Sequence, residues 1–153
     1  MVEIGICFMI PNQFGQVLHT LLKDILEIPS TWRINEHAEI LKMSSDGEPA
    51  DLLPNNVILK NTDMEHYLSQ ETYPIMISFF IYFSEQPPYP VIKDIGEFLA
   101  SPCDIAVCIS DSTQVIVTAK DAGLLDKVKD KMEKISFSNL RYVDQGEDSL
   151  MLS

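Results

Sequence analysis

The sequence is short of positive charge, of cysteine and of clustered glycine, and each shortage removes a class of function. Lysine and arginine number 11 against 23 aspartates and glutamates, a formal net charge of −12. A surface of that sign repels phosphate backbones and anionic lipid heads, so neither a nucleic acid nor a membrane is expected as partner. The three cysteines, Cys7, Cys103 and Cys108, are an odd number, and each lies in or beside an apolar run. They read as reduced core positions rather than a disulfide framework. The six glycines stand singly, with no Walker or Rossmann phosphate cradle among them. Tyr73–Phe83, the most apolar stretch, has about half of the roughly 20 residues that a membrane helix needs. The opening residues have neither the basic region nor the small-residue cleavage site of a signal peptide, so a cytoplasmic protein is expected.

Motifs for metal and nucleophilic chemistry are missing as well. The chain has no Cys-x-x-Cys, no His-Glu-x-x-His and no calcium loop. His37 and Glu39 share one side of a possible strand and could give two metal ligands, although an exposed polar pair is the more ordinary reading. Cys7, Cys103 and Cys108 are candidate thiols, with His19, His37 and His66 as candidate bases, but none sits in a recognisable local signature. The basic cluster Lys127, Lys129, Lys131 and Lys134 alternates with Asp126, Asp130 and Glu133, as on a solvated helix face. No cofactor, no metal and no catalytic residue is expected.

What the chain does have is periodicity. Val2, Ile4, Ile6, Phe8 and Ile10 alternate as one face of a strand, which Pro11 ends. Asn12 is a plausible cap for a helix carrying Phe14, Val17, Leu18, Leu21, Leu22 and Ile25 at helical spacing. Trp32–Met43 reads as a bent strand, or as a hairpin turning near Asn35-Glu36. Ser44–Asn56 reads as an acidic surface loop, and Thr62 with Glu65 as a capping box for a short helix over 63–70.

Tyr73–Phe83 is apolar on both faces, which fits a central strand covered on both sides. Gln86–Pro90 breaks the chain, and Asp94 caps a short helix with Ile95, Phe98 and Leu99. Asp104–Ser110 and Gln114–Ala119 form a hairpin about Asp111-Ser112. Asp121 caps a long helix whose inner positions are Leu124, Leu125, Val128, Met132 and Ile135. Leu140–Val143 is a last strand, Asp144, Glu147 and Asp148 an acidic stretch, and 149–152 a possible edge strand. The order predicts an α+β fold over 1–153 as a single globular domain. In it a mostly antiparallel sheet has an N-terminal and a C-terminal amphipathic helix packed on it.

The run from Gly5 to Gly15, Gly5-Ile6-Cys7-Phe8-Met9-Ile10-Pro11-Asn12-Gln13-Phe14-Gly15, precedes a leucine-rich helix and then Thr31-Trp32-Arg33-Ile34. With the Asp104–Val117 hairpin and its Asp111-Ser112 turn, this pattern resembles a family of small Bacillus-type bacterial proteins, domain of unknown function 2691. The resemblance covers most of the chain and implies a bacterial, intracellular protein. It carries over no activity and no site.

Two functional readings follow. The first is a non-enzymatic acidic protein-binding domain, in its sharper form an immunity or antitoxin-like protein that neutralises a basic toxin. Opposite charge would speed encounter, with Asp46, Glu48 and Asp51 as the contact residues, although the same loop could be merely solvated. The second is a small-ligand-binding sensor, or a small enzyme with a non-motif active site. A polar cluster beside an apolar pocket near Cys7 or His37 would support it. A homodimer through an exposed sheet edge near the C-terminus is a further possibility.

Overall fold

The computed structural model describes residues 3–134, 138–144 and 152. The elements run β1 (Glu3–Met9), α1 (Val17–Leu26), β2 (Thr31–Ile34), β3 (Glu39–Met43), β4 (Pro49–Asp51) and β5 (Ile58–Lys60). They continue with α2 (Asn61–Leu68), β6 (Thr72–Tyr82), α3 (Ile95–Ala100), β7 (Ile105–Ser110), β8 (Gln114–Ala119), α4 (Ala122–Lys134) and β9 (Ser138–Asp144). Mainly antiparallel sheet with four described helices, the fold is α+β. Expectations for Val2, Ile135, Glu147, Asp148 and an edge strand at 149–151 fall outside the described residues.

β6 is the central strand that its two apolar faces predict. β7 pairs along one edge, and β8, β1 and β9 follow outward, every pair antiparallel. The other edge is shared end to end. β2 pairs with the far half of β6, from Thr31↔Tyr82 to Ile34↔Phe79, and β3 with the near half, from Glu39↔Met76 to Lys42↔Thr72. Of the two readings of Trp32–Met43, the bent strand is therefore the one observed, because β2 and β3 pair with β6 and not with each other. β5 then pairs with β2 and β4 with β3. Ser44–Asn56 is thus a tight turn leading into a short edge strand and not wholly a loop.

Side chains alternate across the sheet as the pleat requires. Ile77, Phe79 and Ile81 of β6 join one cluster, with Trp32, Val107, Val117 and residues of α1, α2 and α4. Phe80 and Tyr82 point into a second cluster with Ile92, Phe98, Cys103 and Leu152. Buried leucines and isoleucines of this size each contribute about 1.5–3 kcal/mol. Leu18, Leu21, Leu22 and Ile25 in α1 and Leu125, Val128 and Met132 in α4 are buried, at the spacing of one helix side. One alternation fails: Ile4 belongs to the second cluster while Ile6 and Phe8 belong to the first. The β1–β9 register shifts between Glu3 and Gly5, and such an irregularity turns a side chain to the opposite face. Gly5 itself is required by close approach, since a Cβ there would lie 2.6 Å from the Val117 carbonyl oxygen.

The caps divide cleanly. Asp94 accepts from Glu97 N–H at 2.8 Å and Asp121 from Gly123 N–H at 2.8 Å, as their positions predict. Asn12 caps nothing: the first helix begins at Val17, and Asn12 Oδ1 instead accepts from the Tyr73 hydroxyl. The Thr62–Glu65 box does not form either. α2 starts one residue before Thr62, directly out of β5, and Asn61 uses its carboxamide to bind Leu26 O and Ser30 N–H. The hairpin turn holds Asp111 at φ 52° and Ser112 at φ 65°, left-handed values that Asp tolerates better than most residues.

Candidate functional site

The break between β2 and β3 creates the most distinctive polar site of the sheet. Where the ladder is interrupted, the N–H of Ser78 on β6 has no strand carbonyl opposite it. Asn35 supplies one from its side chain: Ser78 N–H donates to Asn35 Oδ1 at 3.0 Å, while Asn35 N–H donates to Ser78 O at 3.3 Å. Asn56 N–H adds a bond to Asn35 O at 2.9 Å. Asn35 is only 6% exposed. Because the oxygen must face the Ser78 donor, the orientation of the amide is fixed and Nδ2 lies on the other side. Among the described residues, Asn35 Nδ2 donates no hydrogen bond.

That amide lines a groove of about 480 Å³ together with Glu36, His37, Met76, Val91 and Lys93. Met76 and Val91 give it an apolar wall, and Met76 is 45% exposed, unusual for a large apolar side chain in a central strand. A second cavity of about 220 Å³ shares Asn35 and Met76 and continues over Ser78, Cys108, Ser110 and Ile116. A third, of about 270 Å³, lies farther along β1 and β8 beside Cys7 and Arg141. Cavities therefore occur beside both residues named from the sequence, His37 and Cys7. Buried polar groups, Asn35 and Ser78, adjoin the His37 groove.

The other candidates are placed elsewhere. Asp46, Glu48 and Asp51 are exposed around the β3–β4 turn and on β4, and none lines the groove. Asp46 accepts from the Ser44 hydroxyl and from Glu48 N–H at 3.0 Å, and those bonds, the hydroxyl first, hold its carboxyl below the usual range. Among the described residues, no three His, Cys, Asp or Glu side chains come together to hold a metal ion, so His37 and Glu39 gain no third ligand there. His19 pairs with Glu65 at 2.8 Å, joining α1 to α2. Among the described residues, no disulfide joins the cysteines. Burial pushes the Cys103 and Cys108 thiols up to about 12, the opposite of what a nucleophile needs. No described helix is long and apolar enough to cross a membrane.

Sequence reading missed Asn35, Ser78 and Lys93 as members of one site. Ser78 carried a usable signal: it is a small hydroxyl inside an otherwise apolar strand, and such a group must find a partner when buried.

Fold and site together define an antiparallel-sheet α+β domain with a partly polar groove on one sheet face. Residues 3–151 match the model of the family described as protein of unknown function (DUF2691), and the chain belongs to that family. It is also similar to the Bacillus subtilis (strain 168) uncharacterized protein YncE, 19% identical over 151 residues that cover 95% of this chain and 94% of that protein. No solved structure matches the chain.

Proposed function

We propose that this domain acts by binding a small amphiphilic ligand in the Asn35–Met76–Lys93 groove. The observation that carries the reading is Asn35, a nearly buried carboxamide whose oxygen is fixed by Ser78 and whose Nδ2 donor has no partner among the described residues. A donor that solvent reaches, beside an apolar wall, favours a ligand with an acceptor head and a hydrocarbon body. Lys93 and His37 add cationic or donor groups at the rim, and Glu36 discourages a ligand of high negative charge. A monocarboxylate or a carboxamide of medium chain length fits that balance.

Octanoate and octanamide are suitable probes, with binding followed by calorimetry and thermal shift. Asn35→Asp keeps the oxygen that Ser78 needs but replaces the free donor with an acceptor. It is expected to weaken octanoate binding by about tenfold or more, equivalent to about 1.4 kcal/mol, and also to lower the unliganded melting temperature, because a carboxylate replaces a nearly buried amide. Equal affinity in the variant, or no binding of either probe to the native chain, would sink this reading.

A protein-binding role for the acidic edge has separate support. β4 ends the described sheet on its side, and Asp46, Glu48 and Asp51 are all exposed on it or on the turn before it. A basic protein, such as a toxin domain, is the partner whose charge would match. Reversing all three to lysine is expected to weaken capture of such a partner by at least about tenfold at low salt. Reversal of Glu48 and Asp51 alone separates charge from the turn bonds of Asp46. Unchanged capture by both variants excludes this edge as the contact.

A further inference from the structure

Leu152 lies outside any strand, yet every polar group of its backbone is bonded and its side chain is 1% exposed. Its N–H donates to Lys93 O at 2.7 Å. Its carbonyl oxygen accepts from Ser78 Oγ at 2.7 Å and from Cys108 Sγ at 2.7 Å. Ser78 and Cys108 face each other directly in the β6–β7 register, so two side-chain donors from neighbouring strands converge on one carbonyl. The leucine side chain enters the cluster formed by Tyr82, Ile92, Phe98 and Ala106.

We infer that Ser78, Cys108 and Lys93 O form a cradle for a peptide residue with a leucine side chain. Leu152 is its occupant in cis, and the same short sequence displaces it when supplied in trans. A donor for Lys93 O, an acceptor for two converging side chains and a branched apolar pocket together specify one peptide residue of this kind. Alanine would leave the pocket empty, and a charged side chain would be buried without a partner. Ser78 and Cys108 are 5% and 8% exposed and sit on an apolar sheet face, where an acceptor from outside the sheet satisfies them. A cavity of about 220 Å³ adjoins the cradle and is bordered by Leu152 itself.

This site goes beyond the octanoate groove and does not rest on it. The cradle uses the Lys93 carbonyl and two side chains, none of which is the Asn35 donor. The two readings therefore fail separately.

Cys108 reports occupancy of the cradle. Its alkylation by N-ethylmaleimide under native conditions, resolved from that of Cys7 and Cys103 by peptide mapping, is expected to be slow in the native chain. Leu152→Gly is expected to raise the Cys108 rate by about tenfold or more and to leave the Cys103 rate unchanged. Millimolar Ser-Leu-Met-Leu-Ser, the sequence of residues 149–153, is expected to restore protection, whereas Ser-Leu-Met-Gly-Ser does not. A Cys108 rate unmoved by Leu152→Gly, or one that the leucine peptide fails to slow, overturns the proposal. If both buried cysteines accelerate together, the variant has lost its fold, and Ser78→Ala decides instead. Acceleration of Cys108 alone in Ser78→Ala supports the cradle, and no acceleration overturns it.

Discussion

Replacing Trp32 by alanine is expected to remove about 3–5 kcal/mol of stability, a large part of the 5–15 kcal/mol typical of a domain. Trp32 is fully buried in β2, opposite Leu59 of β5 and Ile81 of β6, so its loss is felt on both sides of one strand. Its ring meets Phe79 edge to face at a centroid distance of 5.6 Å and an interplanar angle of 68°. Such pairs contribute about 0.5–1.5 kcal/mol beyond the area they bury. The indole N–H donates to Ser30 Oγ at 2.9 Å, and Ser30 Oγ in turn donates to Ile28 O at 2.8 Å, which ties the end of α1 to the start of β2.

Trp32→Phe keeps an aromatic surface against Phe79 and loses only the outer ring and this hydrogen bond. Its cost should be less than half that of the alanine variant. Guanidinium unfolding followed by circular dichroism measures both, since the chain has a single tryptophan and both variants lose its fluorescence. An alanine variant within about 1 kcal/mol of the native chain would contradict a core built around this ring.

Trp32 also marks how far local pattern reaches. The strands and helices with long, regular periodicity were legible: β6 from its two apolar faces, β7 and β8 from alternation about a turn, α1 and α4 from helical spacing. Asp94 and Asp121 act through bonds within three residues of themselves, so sequence distance was enough to find them. Asn12 and Thr62 looked equally good as caps and were not, because what decides them is tertiary. Tyr73 claims Asn12, and the entry of α2 from β5 moves the helix start past Thr62. β4 and β5 are three residues each and exist by pairing with β3 and β2, which no window of their own sequence contains.

The groove was half legible. His37 is named from the sequence as a place for a polar cluster beside an apolar pocket, and Asn35-Glu36 only as a turn, but the site depends on β2 and β3 sharing one edge of β6. That long-range arrangement sets Asn35 opposite Ser78, 43 residues away. Asp46 shows the converse, since its exposure was foreseeable while its bonding to Ser44 and Glu48 within one turn was not weighed. A carboxylate already engaged in its own turn contributes less to a partner than its charge alone would suggest.

Alkaline pH is expected to destabilise this protein before its lysines lose their charge, because two thiols sit where a thiolate cannot be solvated. Burial is the first cause in both, and it pushes Cys103 and Cys108 up to about 12 in the folded chain. An exposed thiol in the unfolded chain ionises near pH 8.5. Below that value both states hold the proton, and the stability contributed by the buried neutral thiols is fully present. Between about 8.5 and 12 the unfolded chain releases protons that the folded chain retains, so stability falls as pH rises. The slope is about 1.4 kcal/mol per pH unit for each thiol, or about 2.7 for the two together. Over two units the loss approaches the lower end of a typical domain's whole stability. Tyr82, also raised chiefly by burial, steepens the fall above pH 10. Guanidinium melts at pH 8, 9 and 10 under reducing conditions should show a plateau and then this decline. In the Cys103→Ala/Cys108→Ala variant the decline between pH 9 and 10 should largely vanish, although its stability at pH 8 is lower through the two small cavities. An equal slope in the two proteins would place the alkaline transition on other groups and would mean that water reaches these sulfurs in the folded state.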